Sequence, residues 1–285
     1  MLNTPSVIAY LPHMLGNRLR ALAACFVVSK ALDRDFAVYW DVNQGFPLEF
    51  ESVFEGKVNL LTPDTLLSLR GADSLGLYTQ IFDWHGYQNE LAHGRPYLSE
   101  LSKIHGVRQV TDLTSAASET HILIYTNTFH PNFDMGLQLD AFRHFRFNHS
   151  LVSHALSVVK DLNLRGLPSV HARGTDFVPL PDNEDSRFEF YVNAISNRVA
   201  QDEAFYLSSE DRNLVFKLEQ HFGARLVRRK NTLLPTITSS GNLSLDKASL
   251  CDAIVDLIIL SCTNLVVYHE YSSFAQSALI LRGVY

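Results

Sequence analysis

The stretch SVHARGTD, residues 169–176, decides the fold that this sequence predicts. An apolar run at residues 167–170 indicates a short strand, and four polar groups follow it almost at once. His171 and Arg173 are two residues apart, so their side chains point to the same side of an extended segment. In an open α/β sheet, ligands bind at the ends of such strands. Because arginine matches phosphate oxygens with paired donors and stays charged, the stretch predicts a polyanion site.

Length and composition limit the classes of protein to consider. A chain of 285 residues suits two α/β domains of ordinary size. Hydrophobic residues at 46% and charged residues at 19% indicate a well-buried globular protein. The formal net charge of −6 argues against a general nucleic-acid binder. A phosphate site must therefore be locally basic within an acidic protein.

The first half of the chain begins as a strand–helix–strand unit. We predict strands at residues 7–11 and 36–42, and between them a helix that starts at Asn17 as its N-cap. For residues 60–120 the periodicity is poor, and we expect loops and short helices. A strand at 121–127 and a helix at 142–162 then lead into the stretch quoted above.

Strands and helices alternate more clearly after residue 165. The predicted strands are 167–170, 204–207, 225–227 and 264–268, and the predicted helices are 188–198, 213–221, 250–260 and 272–281. An acidic loop is predicted at 179–186. This alternation predicts an α/β fold with parallel sheets. We expect a GT-B-like architecture, in which two Rossmann-like domains, residues 1–150 and 151–285, face a cleft.

Three strand ends in the second half carry clustered polar residues, at 171–176, 208–211 and 269–273. The carboxyl ends of parallel strands lie at one edge of a sheet, so these clusters should converge. Ser272 and Ser273 precede the last helix, where they suit either phosphate binding or ordinary capping. We weigh the two about equally.

Two further side chains have alternative interpretations. Asp256 lies inside an apolar helix, where a carboxylate needs a partner. Asp256 either binds a base with two donors, such as guanine, or pairs with a structural arginine, or reaches solvent from the helix face. Asp252, one turn earlier, competes for the role. His171 is either a ligand contact or a core histidine.

The cysteines and the N-terminal sequence indicate the cellular compartment that we expect. Cys25, Cys251 and Cys262 fall in apolar helical patterns without metal-type spacing, as expected for buried thiols in a reducing compartment. No N-terminal apolar run has the length of a signal peptide or a membrane span. We therefore expect a cytoplasmic protein.

At this point a family resemblance can be named. The pattern H-x-R-x-T-D at 171–176 resembles that of the α1,6-fucosyltransferases and NodZ-type enzymes, which belong to a superfamily with the α1,2- and protein O-fucosyltransferases. LGNRLRAL at 15–22 is similar to the G-N-R-L helix start of many relatives. YLSSED at 206–211, and residues 255–261 with 271–274, resemble two of their later segments. The similar segments lie in the expected order along both halves of the chain.

The resemblance implies a GT-B fold, a GDP-sugar donor that is usually GDP-fucose, and roles for particular residues. Arg173 would bind the β-phosphate, His171 and Asp256 would hold guanine, and Ser272 and Ser273 would contact the diphosphate. Asp176 would keep the arginine loop in shape.

The sequence also departs from the α1,6 enzymes. Gly174 replaces their second basic residue, which leaves the remaining diphosphate charge to Arg18 or Arg20 beside Asn17. The general base of those enzymes would fall near Pro181, and Glu184 is the neighbouring candidate.

The function that the resemblance implies is inverting transfer of fucose from GDP-fucose to a glycan hydroxyl. Arg173, Asp176 and Glu184 would be the catalytic residues. No acidic metal triad is evident, so we expect neither a metal nor a cofactor, and the partners would be a nucleotide-sugar donor and a glycan acceptor. The alternatives are a transferase for another nucleotide sugar and a degenerate GDP-sugar-binding protein.

Overall fold

A computed structural model describes residues 2, 4–43, 46–71, 75–80, 88, 96–112, 114, 118–126, 135–173, 184–230, 236–237, 243–244 and 246–285. The chain divides into two compact units. Unit 1 comprises Met1–Asn43 and Glu49–Arg146, and unit 2 comprises Gln44–Leu48 and Phe147–Tyr285. Each unit contains its own parallel sheet.

Unit 1 is an α/β unit. Its strands are β1 (Ser6–Leu11), β2 (Asp35–Trp40), β3 (Phe54–Glu55), β4 (Asn59–Leu60), β5 (Leu75–Gln80), β6 (Arg108–Val110) and β7 (His121–Tyr125), and β8 (Arg146–Phe147) follows at its end. Its helices are α1 (Leu15–Ala31), α2 (Phe50–Val53), α3 (Pro63–Ser68), α4 (Pro96–His105) and α5 (Met135–His144).

The main sheet of unit 1 has six parallel strands in the order β4-β2-β1-β7-β5-β6. β1 lies inside this sheet and every residue of it is buried. A strand that is buried along its whole length is typical of a parallel sheet that is covered on both faces. Ile8, Tyr10, Leu123 and Tyr125 share one core, which α3 and α4 help to cover.

Two expectations for unit 1 are wrong. The first helix begins at Leu15 rather than at Asn17, because Leu15 is buried and the amide of Arg18 already bonds to the carbonyl of Met14. The Asn17 side chain instead accepts a hydrogen bond from Arg20, at 2.8 Å. Within residues 60–120 we expected loops and short helices, but β5 lies there as an inner strand of the sheet.

Unit 2 also alternates strands and helices. Its strands are β9 (Pro168–Ala172), β10 (Phe205–Ser209), β11 (Leu226–Val227), β12 (Thr236–Ile237), β13 (Leu243–Ser244) and β14 (Asn264–Val267). Its helices are α6 (His149–Asp161), α7 (Glu184–Arg198), α8 (Arg212–Phe222), α9 (Lys247–Cys262) and α10 (Ser273–Leu281).

The four-stranded sheet of unit 2 is parallel, in the order β11-β10-β9-β14. Successive side chains alternate between its two faces. Val170, Ala172 and Leu207 belong to a core with residues of α7 and α8. The neighbouring residues in each strand lie on the other face, where Tyr206 and Ser208 bond to Asp256 of α9.

Two expectations for the region around unit 2 are also wrong. The helix expected at 142–162 is two helices, α5 and α6, and the side chain of Asn148 caps the second by accepting from the amide of Ser150 at 3.1 Å. The acidic loop expected to reach residue 186 ends earlier, because α7 begins at Glu184.

Other expectations can be set against the structure. The cysteines are free thiols, with Cys25 buried and Cys251 and Cys262 half-buried. Among the residues that the structure describes, no helix is both long and apolar enough to cross a lipid bilayer.

Candidate functional site

The carboxyl edge of the unit 2 sheet brings the predicted strand-end residues together. In the register of β9 and β10, His171 lies beside Ser208 and Ala172 beside Ser209. The start of α10 reaches the same place, since the rings of His171 and Phe274 stack with centroids 5.0 Å apart. The convergence expected from the sequence is therefore present within unit 2.

His171 is a buried, neutral imidazole at this edge. Only 5% of it is exposed. Burial, together with the nearby charge of Arg173, lowers the pKa of His171 to about 3, although the backbone of Ser208 opposes the shift. At neutral pH the ring therefore offers one N–H donor and one nitrogen acceptor rather than a positive charge. Such a ring suits the edge of a base better than a phosphate.

The backbone of Arg173 is fixed by a tyrosine of α7. The hydroxyl of Tyr191 accepts from the amide of Arg173 at 2.8 Å and donates to its carbonyl at 3.1 Å. Tyr191 is fully buried, and burial raises the pKa of its hydroxyl. The phenol therefore stays protonated and keeps both bonds, which hold the chain where it leaves β9.

The loop that follows Arg173 lies outside the described residues. Gly174, Asp176, Pro181 and the neighbouring acid Asp182 all belong to it. Glu184 is described only as the first residue of α7, not in its side chain. The expected roles of Asp176 and Glu184 therefore remain predictions.

Asp256 of α9 lies in a buried polar cluster with partners from β10 and from the turn after β11. Its Oδ1 accepts from the hydroxyl of Tyr206 and from Nε of Arg229, both at 3.1 Å. Its Oδ2 accepts from the hydroxyl of Ser208 at 3.3 Å. Arg229 also donates to Asp252, from Nη1 to the carboxylate at 2.5 Å and from Nη2 to the carbonyl at 2.9 Å. Arg229 is thus the structural arginine that the sequence analysis considered as a partner of Asp256.

Burial and charge act in opposite directions in this cluster. Burial raises the pKa of the Asp256 carboxyl, and the charge of Arg229 opposes the rise. Burial disfavours the charge of Arg229, yet the attraction of Asp256 and Asp252 raises its pKa above the usual value. Each of the three hydrogen bonds at Asp256 is donated to the carboxylate, which is the pattern of an ionised acid. The cluster is therefore a buried ion pair supported by two hydroxyls.

The N-terminus of α10 uses one of the two predicted serines as its cap. The hydroxyl of Ser272 accepts from the amide of Ala275 at 3.3 Å, and only 1% of this residue is exposed. Ser273 is half-buried at the first helical position. The capping interpretation thus describes the side chain of Ser272, while the hydroxyl of Ser273 lies at the positive end of the helix.

The predicted residues of unit 1 are held by contacts within that unit. Arg18 is fully buried, and its guanidinium donates to the backbone carbonyls of His13 and of Asp41, the latter at 2.6 Å. The same group lies 4.5 Å from the ring centroid of Trp40. Arg18 therefore joins β2 to the turn before α1.

Sequence reasoning missed Tyr191, Tyr206 and Arg229. For Arg229 a signal existed, since a carboxylate inside an apolar helix requires a partner, and Arg229 is the second residue after β11. The tyrosines gave no signal, because their bonds depend on which face of the sheet each helix covers. In the part of the chain that the structure describes, no group of three or more His, Cys, Asp or Glu side chains is arranged to hold a metal ion.

Comparison with known proteins relates the fold to solved structures. No protein-family model matches the sequence, and no curated protein is found to be similar to it. The fold is similar to fucosyltransferase NodZ from Bradyrhizobium, with a TM-score of 0.64 at 12% identity over 97% of this chain and 93% of that one. It is also similar to a variant of Arabidopsis thaliana FUT1 in complex with GDP, with a TM-score of 0.57 at 14% identity over 99% and 69% of the two chains.

A third similar structure is POFUT1 in complex with GDP-fucose, with a TM-score of 0.51 at 11% identity over 98% of this chain and 94% of that one. The chain therefore has the fold of these fucosyltransferases. The α/β, GT-B-like class and the resemblance to the fucosyltransferase superfamily are confirmed at the level of the fold.

Proposed function

We propose that this protein is a glycosyltransferase that moves fucose from GDP-fucose to a hydroxyl group of a glycan, with inversion at the anomeric carbon. One observation carries the proposal. His171, the backbone of Arg173 and the N-terminus of α10 meet at one edge of the unit 2 sheet. The likeness in fold to proteins solved with GDP or GDP-fucose supports this donor.

The diphosphate would be bound by Arg173 and by the start of α10. Arginine pairs two N–H groups with phosphate oxygens, and a helix N-terminus presents unpaired amides to an anion. The bonds from Tyr191 fix the position of Arg173 before the donor arrives. Preorganised donors of this kind also stabilise the charge that develops on departing GDP.

Guanine would be recognised by His171 and Asp256. An ionised carboxylate has about four acceptor positions, and three protein donors use three of them in Asp256. A cavity of about 20 Å³ lies beside Asp256, enough for one amino group but not for a purine ring. We therefore expect only the N2 amine of guanine to reach this acid.

The reaction would be a single displacement. The acceptor oxygen forms a bond to the anomeric carbon of fucose while the bond from that carbon to the β-phosphate oxygen breaks. GDP leaves with the electron pair, and a carboxylate takes the proton of the acceptor hydroxyl. Glu184 is our candidate for this base, and Asp176 would shape the arginine loop.

Thermal shift with GDP, UDP and ADP tests the donor class. A ligand that binds only the folded protein stabilises it by about 2.7 kcal/mol at a concentration of 100 times Kd. We expect stabilisation by GDP and little by UDP or ADP. Stabilisation by UDP instead would indicate a different nucleotide sugar, and no response to GDP would refute the proposal.

Release of GDP from GDP-fucose in the presence of glycan acceptors then separates an enzyme from a binding protein. Arg173→Ala should weaken GDP binding by about 10–100-fold, the value of a charge-assisted hydrogen bond. Arg212→Ala is the matched control, since Arg212 is exposed at the start of α8. GDP binding without turnover on any acceptor would leave the degenerate sugar-nucleotide binder as the better description.

A further inference from the structure

A pocket of about 400 Å³ lies in unit 1, at the carboxyl end of β2 and beside the edge strand β4. All of its lining residues belong to unit 1. None of the residues expected from the sequence to bind the donor lines it. Its volume falls within the range of about 300–1,000 Å³ that is usual for small-molecule sites.

Aromatic and aliphatic side chains form the walls of this pocket. Tyr39 and Tyr97 lie at its base with their ring centroids 6.1 Å apart, and Trp40 packs edge-to-face on Phe50 at 5.4 Å. Tyr39 is only 4% exposed and Trp40 only 8%. The aromatic walls are therefore held in place by the core of unit 1 rather than by a ligand.

Three carboxylates supply the charge of the pocket. Asp41, Glu49 and Glu51 line it, and none of its lining residues within the described part of the chain is a Lys, Arg or His. Among the described residues, no ion pair or hydrogen bond is made by the side chain of Glu49 or of Glu51, and both residues are exposed. Ionised carboxylates only accept hydrogen bonds, so the pocket favours a ligand that donates several. It disfavours an anion.

The positions of the rings decide between two kinds of ligand. A cage for a quaternary ammonium needs open aromatic faces. Here the guanidinium of Arg18 lies over Trp40, at 4.5 Å from the ring centroid, and Tyr10 stacks on Tyr39 at 5.1 Å. One face of each of these two rings is thus already covered by the protein, and the apolar rings lie next to three carboxylates that accept hydrogen bonds. That combination fits a sugar ring, which has apolar C–H groups and several hydroxyl donors.

We propose that this pocket binds a hexose unit of the acceptor glycan, one with free hydroxyl groups and no anionic group. The inference rests on the proposed function, because a glycosyltransferase needs an acceptor site in addition to its donor site. It adds the substrate class, since acceptors that present a uronic or sialic acid at this position are excluded. Glu51 is the residue that sets this preference.

Saturation-transfer NMR of the whole chain with single glycosides tests the pocket without the donor. We expect transfer to neutral methyl hexosides, and none to a methyl glucuronide or to choline. Glu51→Lys should lower the affinity for the neutral hexoside about tenfold or more, as one lost charge-assisted bond predicts. It should also introduce binding of the glucuronide.

Asp64→Lys is the matched control. Asp64 is exposed and follows a lining residue, yet it does not line the pocket itself. The same change of charge at Asp64 should leave the affinities for both glycosides equal to those of the unmodified chain. Three results would each overturn the inference. They are equal effects of the two variants, preferred binding of the glucuronide by the unmodified chain, and binding of choline.

The thermal shift with GDP reports separately on the proposed function. Stabilisation by GDP without any binding of neutral hexosides would refute this inference and leave the proposed function in place. Binding of hexosides that Glu51→Lys weakens, without a response to GDP, would support the sugar pocket and refute only the proposed transfer reaction.

Discussion

Replacing Arg229 with methionine should be among the most damaging single changes in unit 2. The change removes the cation from Asp256 and Asp252 while it keeps a side chain of similar length. Asp256 and Arg229 are each only 8% exposed, so water cannot take the place of the lost charge. Leaving one member of a buried ion pair without its partner costs about 3–5 kcal/mol. Tyr206 and Ser208 would still donate to Asp256, which favours the lower end of that range.

The adjacent arginine provides a matched control. Arg228 pairs with Glu219, but the side chains of this pair are 35% and 38% exposed. Exposed pairs contribute about 0–1 kcal/mol. Arg228→Met should therefore lower the midpoint of thermal unfolding by no more than about 4 °C, whereas Arg229→Met should lower it by roughly 6–20 °C, at about 2–4 °C per kcal/mol.

The pH dependence gives this prediction a second readout. Burial raises the pKa of Asp256, and Arg229 opposes the rise, so its removal should raise that pKa further. A carboxyl whose pKa is higher in the folded than in the unfolded state binds its proton more readily when folded, which favours the folded state at low pH. The loss in free energy of unfolding of Arg229→Met, relative to the unmodified chain, should thus be largest at pH 8 and smaller toward pH 5, as measured by urea unfolding.

Two results would refute this reasoning. One is a loss of stability in Arg229→Met that is no greater than in Arg228→Met. The other is a deficit that stays constant between pH 8 and pH 5. Adding Asp256→Asn to Arg229→Met should restore part of the stability, because the amide removes the unpaired charge and keeps one acceptor for Tyr206.

Three further predictions concern the same sheet. His171→Phe should make the free energy of unfolding less dependent on pH between 6.5 and 3, because the native ring has a pKa of about 3 and the unfolded chain takes up its proton first. The same loss of stability in the variant and the unmodified chain, measured by urea unfolding across that range, would contradict this. Tyr191→Phe should cost about 1–3 kcal/mol by leaving the amide and carbonyl of Arg173 without their partner, and calorimetry should show weaker GDP binding. Asp211→Ala removes the cap of α8 and should cost about 1 kcal/mol with GDP affinity unchanged, so a loss of affinity would assign this acid to the site instead.

Long buried strands could be predicted from the sequence, and interrupted ones could not. β1 is apolar from Val7 to Leu11, as is typical of a strand covered on both faces. β5 lies equally deep in the sheet but contains Gly76, which weakens the strand pattern. Its glycine has a packing reason, because a Cβ there would overlap the ring of Tyr78 and lie 3.1 Å from the side chain of Glu119. The approach of Glu119 joins residues far apart in sequence, and no local pattern reveals it.

The same distinction holds for the candidate site. His171 and Ser208 were placed together correctly because parallel pairing fixes their register once both strands are known. The cap at Ser272 follows from local sequence as well. The partners of Asp256 do not, since they come from β10 and from the turn after β11, and each depends on tertiary burial. Residue type thus indicated that a buried Asp256 needs a partner, but not which one.

The cluster around Asp256 links the stability of unit 2 to the proposed recognition of guanine. A buried ion pair seldom stabilises a protein more than apolar side chains of the same size would. The pair is therefore expected to have a role besides stability, and the remaining acceptor position of Asp256 offers such a role. If that position serves guanine, GDP should bind about tenfold or more tightly than inosine diphosphate, which lacks the N2 amine. Equal affinities would leave the pair with a structural role alone and would place base recognition on His171.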